Sequence, residues 1–341
     1  MEKINKLVRQ NILNLIPYSS ARDEFDGHEG IFLDANENPF GVLNRYPDPY
    51  QKSLKEKLVE ENNLNINQVF IGNGSDEIID LAFRIFCNPS IDKALTFSPT
   101  YGMYEVSANI NHVELIKIPL NEDFQINIHS LNNVLNDNNL KLIFICSPNN
   151  PTGNDIDNIQ FILDNFNGIV IIDEAYIHFS EAESYINQLN NYSNLIVLQT
   201  FSKAHGLAAA RVGIAYACKE IIQLFNKIKP PYNVSLLNQQ AAIDSINNIN
   251  EFKFNLEIIL QQKKWLIEQL NHIHLIKRIF PSSANFILVE TADAEGIYNK
   301  LKSKKIITRN RNSVLKNCIR ITVGTPFENQ ELINELKNIT I

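Results

Sequence analysis

The chain has no excess of basic charge, no paired-cysteine motif, no long apolar run and no apolar stretch at its start. Each absence removes a class of function. Its 31 Lys and Arg against 38 Asp and Glu leave a net charge of −7, whereas a surface that grips a phosphate backbone ordinarily shows a basic excess. Nucleic acid is therefore not an expected partner. A small anionic substrate stays open, because a few arginines in a cleft reverse the local potential. The four cysteines, Cys87, Cys146, Cys218 and Cys318, lie far apart with no CxxC pair, which favours a reduced protein with buried thiols over a zinc site. His272 and His274 have no acid or thiol at ligand spacing, so no metal is expected. No apolar run is long enough for a bilayer, and the opening MEKINKLVRQ lacks an apolar core. Neither membrane nor signal peptide is expected, and the cytoplasm is the expected location.

What is present is ordinary globular composition, 44% apolar and 20% charged over 341 residues, a length that suits about two domains. There are no solenoid-period repeats and no long linker; pairs such as Asn132-Asn133 and Asn247-Asn248 reflect compositional bias. From residue 69 short apolar runs alternate with helical patterns. Val69–Ile71, Ala94–Phe97, Val113–Ile118, Leu140–Cys146, Ile169–Ile172, Leu195–Leu198 and Val212–Ala217 read as strands. A helix over Glu77–Cys87 is opened by Ser75 and Asp76, with Ser75 as its N-cap. Runs apolar on both faces, alternating with helices, predict an α/β domain with a mostly parallel central sheet covered on both sides. Beyond about residue 236 the pattern changes to a long helical stretch Ser235–Leu270, a strand Ala284–Val289, a helix Ala294–Lys302, a strand near Ile319–Val323 and a last helix Glu328–Lys337. These predict a smaller α+β domain. The expected division is an arm over 1–44 that contributes to the small domain, a large domain over 45–236 and a small domain over 237–341.

The polar groups that follow the strands suit one another. Ligands of open parallel sheets bind beyond the carboxyl ends of the strands, so groups distant in sequence converge there. Gly72-Asn73-Gly74-Ser75-Asp76 lies between a strand and a helix, where glycine lets backbone approach closely and free N–H groups hold a phosphate. Alone it is a glycine turn, with neither dinucleotide nor P-loop spacing. Ser147-Pro148-Asn149-Asn150-Pro151-Thr152-Gly153 consists of turn formers and alone reads equally as a plain turn or as a functional loop. Asp173-Glu174-Ala175-Tyr176 follows a strand, so Asp173 is expected to be half-buried at a sheet edge. It is either the cap of a following helix or a carboxylate that holds a proton on a pyridine nitrogen. Lys203, in Thr200-Phe201-Ser202-Lys203-Ala204-His205-Gly206, follows a buried strand and precedes small residues. Such surroundings desolvate an amine and favour its neutral, nucleophilic form. His205 reads as a packing residue.

Taken together, these segments resemble the fold-type I pyridoxal-phosphate aminotransferases, and within them the histidinol-phosphate aminotransferases. The resemblance runs from about residue 6 to residue 325. It is borne by Pro17–Arg22, Leu33–Pro39, Arg45–Asp48, Gly72–Glu77, Pro99–Tyr101, Ser147–Gly153, Asp173–Tyr176, Ser202-Lys203 with Arg211, and Cys318–Thr325. Pro17–Arg22 and Leu33–Pro39 point to the histidinol-phosphate branch.

The resemblance implies pyridoxal 5'-phosphate as cofactor and catalytic roles for Lys203, Asp173 and Tyr176. Lys203 would form the Schiff base and move the proton, Asp173 would pair with the pyridine nitrogen, and Asn150 and Tyr176 would bond the phenolic oxygen. Tyr101 would stack on the ring. The backbone at Ser75 and Asp76, with Ser202 and Arg211 and with Thr200 assisting, would hold the phosphate. Tyr46 resembles a tyrosine that reaches this phosphate from a second subunit, so a homodimer is implied. Tyr18, also across the dimer, and Asn36 resemble substrate contacts. Arg320 resembles the arginine that binds the glutamate carboxylate, and Arg309 stands where a second anion contact is expected. The implied reaction exchanges an amino group between histidinol phosphate and 2-oxoglutarate. A threonine-phosphate decarboxylase, an aromatic aminotransferase and a non-enzymatic relative are the alternatives. There are two departures. An alanine replaces one family glycine in Gly206-Leu207-Ala208-Ala209-Ala210-Arg211, and the spacer from Arg309 to Arg320 is short.

Overall fold

The computed structural model describes residues 2–18, 30–131 and 134–339. Residues 19–22 of the Pro17–Arg22 segment, and Asn132 and Asn133, lie outside them.

Seven strands form the large sheet: β1 (Val69–Asn73), β2 (Lys93–Ser98), β3 (Glu114–Pro119), β4 (Leu140–Cys146), β5 (Ile169–Asp173), β6 (Leu195–Thr200) and β7 (Val212–Ala217). Their order is β1-β7-β6-β5-β4-β2-β3. Neighbours are parallel except at β7, which is antiparallel to both β1 and β6. One consequence positions the site. The C-terminal ends of β1, β2, β4, β5 and β6 and the N-terminal end of β7 all lie on one edge, so residues before β7 meet residues after the other strands.

Alternation along each strand divides the side chains between two cores. Leu142, Phe144, Ile169 and Ile171 meet the helices Ser75–Phe86, Met103–Ile110 and Lys219–Ile228 on one face. Ile143, Ile145, Val170 and Ile172 meet Lys52–Asn62, Ile159–Asn165 and Leu236–Asn247 on the other. Burial on both faces is why these strands read as unbroken apolar runs.

The small sheet is antiparallel, in the order β10-β11-β9-β8, from β8 (Ile276–Ile279), β9 (Phe286–Thr291), β10 (Arg309–Asn310) and β11 (Cys318–Thr322). Ile287, Val289, Ile319 and Ile321 pack against Leu266 and Leu270 of helix Ile249–Leu270, Ile297 and Leu301 of Ala294–Ser303, and Ile333 and Leu336 of Pro326–Asn338. The alternate residues, including Leu288 and Arg320, face the large sheet across a cleft.

Several expectations change. The stretch Ser235–Leu270 is two helices, Leu236–Asn247 and Ile249–Leu270. The first buries Ala242 in a core of the large sheet, so the large body extends past the expected boundary at 236. At the other end, Ile4, Val8 and Ile12 lie in the large sheet's core, and Arg9 N–H donates to Ile85 C=O at 3.0 Å. That part of the arm packs with the large body, not the small one. Ser75 is not an N-cap. Gly74 takes that position at φ +80° with no side-chain cap, and Ser75 begins the helix. The chain turns hard against β7 here: a Cβ on Gly213 would stand 2.3 Å from Ser75 N.

Candidate active site

Between the C-terminal edge of the large sheet and the inner face of the small one lies a cavity of about 750 Å³. Of the residues singled out from sequence, it gathers Ser75, Asp76, Tyr101, Asn150, Asp173, Tyr176, Thr200, Ser202, Lys203, Arg211, Arg309 and Arg320. Tyr18, Asn36 and Tyr46 lie elsewhere. Tyr18 is 72% exposed, and Asn36 and Tyr46 line a separate pocket, where the Tyr46 ring stacks on Tyr232 with centroids 4.4 Å apart.

At one end stands the start of helix Ser75–Phe86, whose first N–H groups have no side-chain acceptor. Arg211, at the entry to β7 and in a left-handed conformation at φ +53°, lays its guanidinium against this turn and pairs with Asp76 at 3.3 Å. Only glycine at position 74 permits the approach, since a Cβ there would stand 2.5 Å from Arg211 Nη2. Unpaired amides, a guanidinium and the nearby Ser202 make this an anion site.

In the middle stands Asp173, the last residue of central strand β5. It is buried at 3% exposure, deeper than the half-burial expected at a sheet edge. The short 3-10 helix that follows, Ile177–Phe179, has Tyr176 at its N-cap, so Asp173 does not cap it. Its Oδ1 accepts from Ala175 N–H at 3.1 Å and its Oδ2 from Tyr104 O–H at 2.8 Å. Burial pushes its carboxyl up to about 6, against the pull of these hydrogen bonds. Tyr104 was not foreseen. It is fully buried in helix Met103–Ile110, stacked on Phe144 and edge-on to Tyr101, and Tyr101 in turn donates to Asp76 at 2.9 Å. The adjacent Glu174 points away into the fold, where Ser184 O–H, Tyr185 N–H and Gln199 Nε2 donate to it; its role is structural.

On the opposite side Lys203 faces the cavity with its Nζ 5.6 Å from the Tyr176 ring centroid. Burial, reinforced by Arg320, lowers its pKa and favours the free amine. Asn150 Nδ2 donates to Tyr176 O–H at 3.4 Å, and Arg320 donates to Asn150 Oδ1. Gly153 ties this loop to the small domain, its C=O accepting from Ser283 N–H at 2.7 Å. His205 is a packing residue, stacked on Phe252 at 4.4 Å.

The small sheet supplies the cations. Arg309 pairs with Arg320 across β10 and β11, so both side chains project to the same face. Arg311, another residue not foreseen, joins them in the cavity wall. Among the described residues no carboxylate forms an ion pair with Arg309, Arg311 or Arg320.

A desolvated lysine, a buried aspartate and an anion-binding helix start, gathered at the carboxyl edge of an open sheet, define an α/β enzyme that works on a bound phosphorylated group. More narrowly, the chain belongs to the aminotransferase class I and II family, whose model matches residues 28–336. Among curated proteins it is 48% identical over 341 residues to the histidinol-phosphate aminotransferase of Flavobacterium psychrophilum, covering 98% of both chains. It is 48% identical over 346 residues to that of Parabacteroides distasonis, covering the whole of both. Among solved structures it resembles the histidinol-phosphate aminotransferase of Clostridium acetobutylicum, with TM-score 0.79, 26% identity and coverage of 89% of this chain and 97% of that one. The Sinorhizobium meliloti enzyme in complex with pyridoxal-5'-phosphate shares the fold at TM-score 0.79 and 23% identity, covering 89% of each chain. The expected fold-type I architecture is borne out.

Proposed function

We propose that the chain is a transaminase that binds pyridoxal 5'-phosphate and exchanges an amino group between L-histidinol phosphate and 2-oxoglutarate, giving imidazole acetol phosphate and L-glutamate in histidine biosynthesis. The observation that supports this best is the convergence in one cavity of Lys203, Asp173 and Arg211, from three ends or loops of the large sheet, and Arg320, from the middle of β11.

The residues fit the cofactor. The cradle at Gly74, which a Cβ would fill, presents the helix amides and Arg211 to a phosphate. Asp173, held by two donors, presents a carboxylate to a protonated pyridine nitrogen, and the positive nitrogen would offset the burial that raises its pKa. Asn150 and Tyr176 together present donors to a phenolic oxygen, Tyr101 stands ready to stack on a ring, and Thr200 and Ser202 complete the phosphate pocket. When bound, the cofactor supplies the electron sink that makes the α-proton of the amine substrate removable.

Lys203 first holds the cofactor and then, as a free amine, takes that proton and returns it to the neighbouring carbon. A positioned acid–base group of this kind contributes roughly 100- to 10,000-fold. Asp173 keeps the pyridine proton in place by a charge-assisted hydrogen bond. Arg320 and Arg309 bind the carboxylate of glutamate or the phosphate of histidinol phosphate in turn, since the planar guanidinium suits both. Tyr18 and Asn36 lie in, and Tyr46 just after, an arm with strongly exposed apolar residues, among them Ile31, Leu33, Phe40 and Val42. Such an arm fits a homodimer in which Tyr46 and Tyr18 complete the partner's site. No described helix is long and apolar enough to cross a membrane, and the reaction suits a cytoplasmic enzyme.

The test follows the bound cofactor's visible spectrum as single substrates are added. Histidinol phosphate and glutamate should each convert it, with imidazole acetol phosphate and 2-oxoglutarate released. Conversion by threonine phosphate with release of carbon dioxide, or by phenylalanine in preference to histidinol phosphate, would replace this reading.

A further inference from the structure

We propose that Arg311 is a specificity-determining residue, a third guanidinium that binds the doubly charged phosphate of the amine substrate and is idle when a carboxylate substrate occupies the cleft. The inference rests on the reading above and adds to it a residue and a basis for selectivity.

The register of the small sheet places it. Arg309 stands opposite Arg320 and Asn310 opposite Ile319. The ladder continues one step further, since Arg311 N–H donates to Cys318 C=O at 2.9 Å. Side chains alternate along a strand, so Arg309 and Arg311 share the face of Arg320, while Asn310 turns the other way and bonds Glu295 at 2.5 Å. The acid on that edge is thus committed to the far side of the sheet.

Arg311 is poorly provided for by its own protein. Its Nε is buried without a hydrogen-bond partner, and among the described residues it has no ion pair. The acids that line the cavity are engaged elsewhere: Glu105 with Lys117 at 2.5 Å, Asp76 with Tyr101 and Arg211, and Asp173 with Tyr104 and Ala175 N–H. Burial and the fields of Arg320 and Arg309 both weaken the hold of Arg311 on its proton. Its Nε is enclosed, but the residue lines the cavity and its guanidinium charge has no carboxylate partner among the described residues, so an anion in the cavity is the group that offsets it.

The two substrates differ in what they offer. Glutamate brings two separate carboxylates, each monoanionic with two oxygens, and one forked guanidinium satisfies each, so Arg320 and Arg309 suffice. A phosphate monoester brings nearly two charges and three acceptor oxygens. Arg320 already donates to Asn150, so a phosphate needs further donors, and Arg309 and Arg311 stand one strand period apart on the same face to give them.

Arg311→Gln and Arg311→Lys, made in the full-length holoenzyme, test this. In single-turnover measurements Arg311→Gln should lower kcat/KM for histidinol phosphate about 10- to 100-fold, the range for losing a charged hydrogen bond, and change that for glutamate less than about 3-fold. Arg311→Lys should recover part of the loss. Inorganic phosphate, as a competitive inhibitor, should bind the Gln variant about 10-fold or more weakly, from the same lost charge. Equal losses for both substrates, or no loss for histidinol phosphate, would overturn the role. If the parent protein does not react with histidinol phosphate at all, the reading of its function has failed, and phosphate inhibition then decides Arg311 alone: an unchanged inhibition constant overturns it.

Discussion

The two walls of the cleft hold their charges in opposite ways. On the large-sheet wall Asp173, Asp76 and Asn150 are already paired. Asp173 has a donor on each oxygen, Asp76 takes both Tyr101 and Arg211, and Asn150 meets Tyr176. On the small-sheet wall Arg311 and Arg320 each leave a buried Nε with no acceptor. A wall whose dipoles are fixed in advance suits a resident group that never leaves, because no reorganisation is needed at each turnover. A wall with donors in reserve suits anions that come and go. The difference predicts that changes on the first wall affect every substrate alike, while changes on the second affect substrates according to their charge.

The largest break is expected at Lys203. Lys203→Ala should lower both half-reactions by at least the roughly 100- to 10,000-fold of a lost acid–base group, read by single-turnover absorbance. A smaller loss confined to one substrate would move this residue to the other wall's behaviour.

Next comes Asp173, whose buried carboxyl titrates near 6 in place of 3.8. A raised pKa favours the folded state fully below about 4 and that contribution is lost as pH rises through 6. The ionised group therefore costs the cofactor-free protein on the order of 3 kcal/mol at pH 8. Cofactor-free Asp173→Asn should melt at a higher temperature than the parent at pH 8, with the gap closing towards pH 4. Calorimetry showing a gap independent of pH would mean that burial is not the cause.

Arg320→Ala should weaken both the glutamate and the histidinol-phosphate half-reactions by about 10- to 100-fold, the scale of a lost charged hydrogen bond. Intact rates for either substrate would remove it from the shared anion site. The smallest effect is expected at Tyr104. Tyr104→Phe keeps the ring packed on Phe144 and removes one donor from Asp173, so it should slow all substrates equally, by roughly 3- to 10-fold. It should also raise the Asp173 pKa further. Unequal losses would blur the distinction between the walls.

The large-sheet wall was also the more legible in the sequence. Strands buried on both faces leave continuous apolar runs, and the residue after such a run must lie at a sheet edge. Asn150, Asp173 and Lys203 could therefore be placed together from sequence, and Ser75 and Arg211 with them once β7 runs antiparallel. Tyr104 escaped because its hydroxyl reaches Asp173 from a helix, 69 positions away in the chain, and one tyrosine in a helical pattern looks like packing. The small-sheet wall depends on register. β10 is two residues long, too short for any periodicity, so nothing in the sequence aligned Arg311 with Arg320. Tyr18, Asn36 and Tyr46 were recognisable by motif alone, because the cavity that holds Lys203 does not include them.

Reduction of the holoenzyme with borohydride, followed by peptide mass mapping, asks where the vitamin is bound. A phosphopyridoxyl group on the peptide that contains Lys203, and on no other lysine, is the expected result. A label on a different lysine, or none at all, would contradict the assignment on which the chemistry of both walls depends.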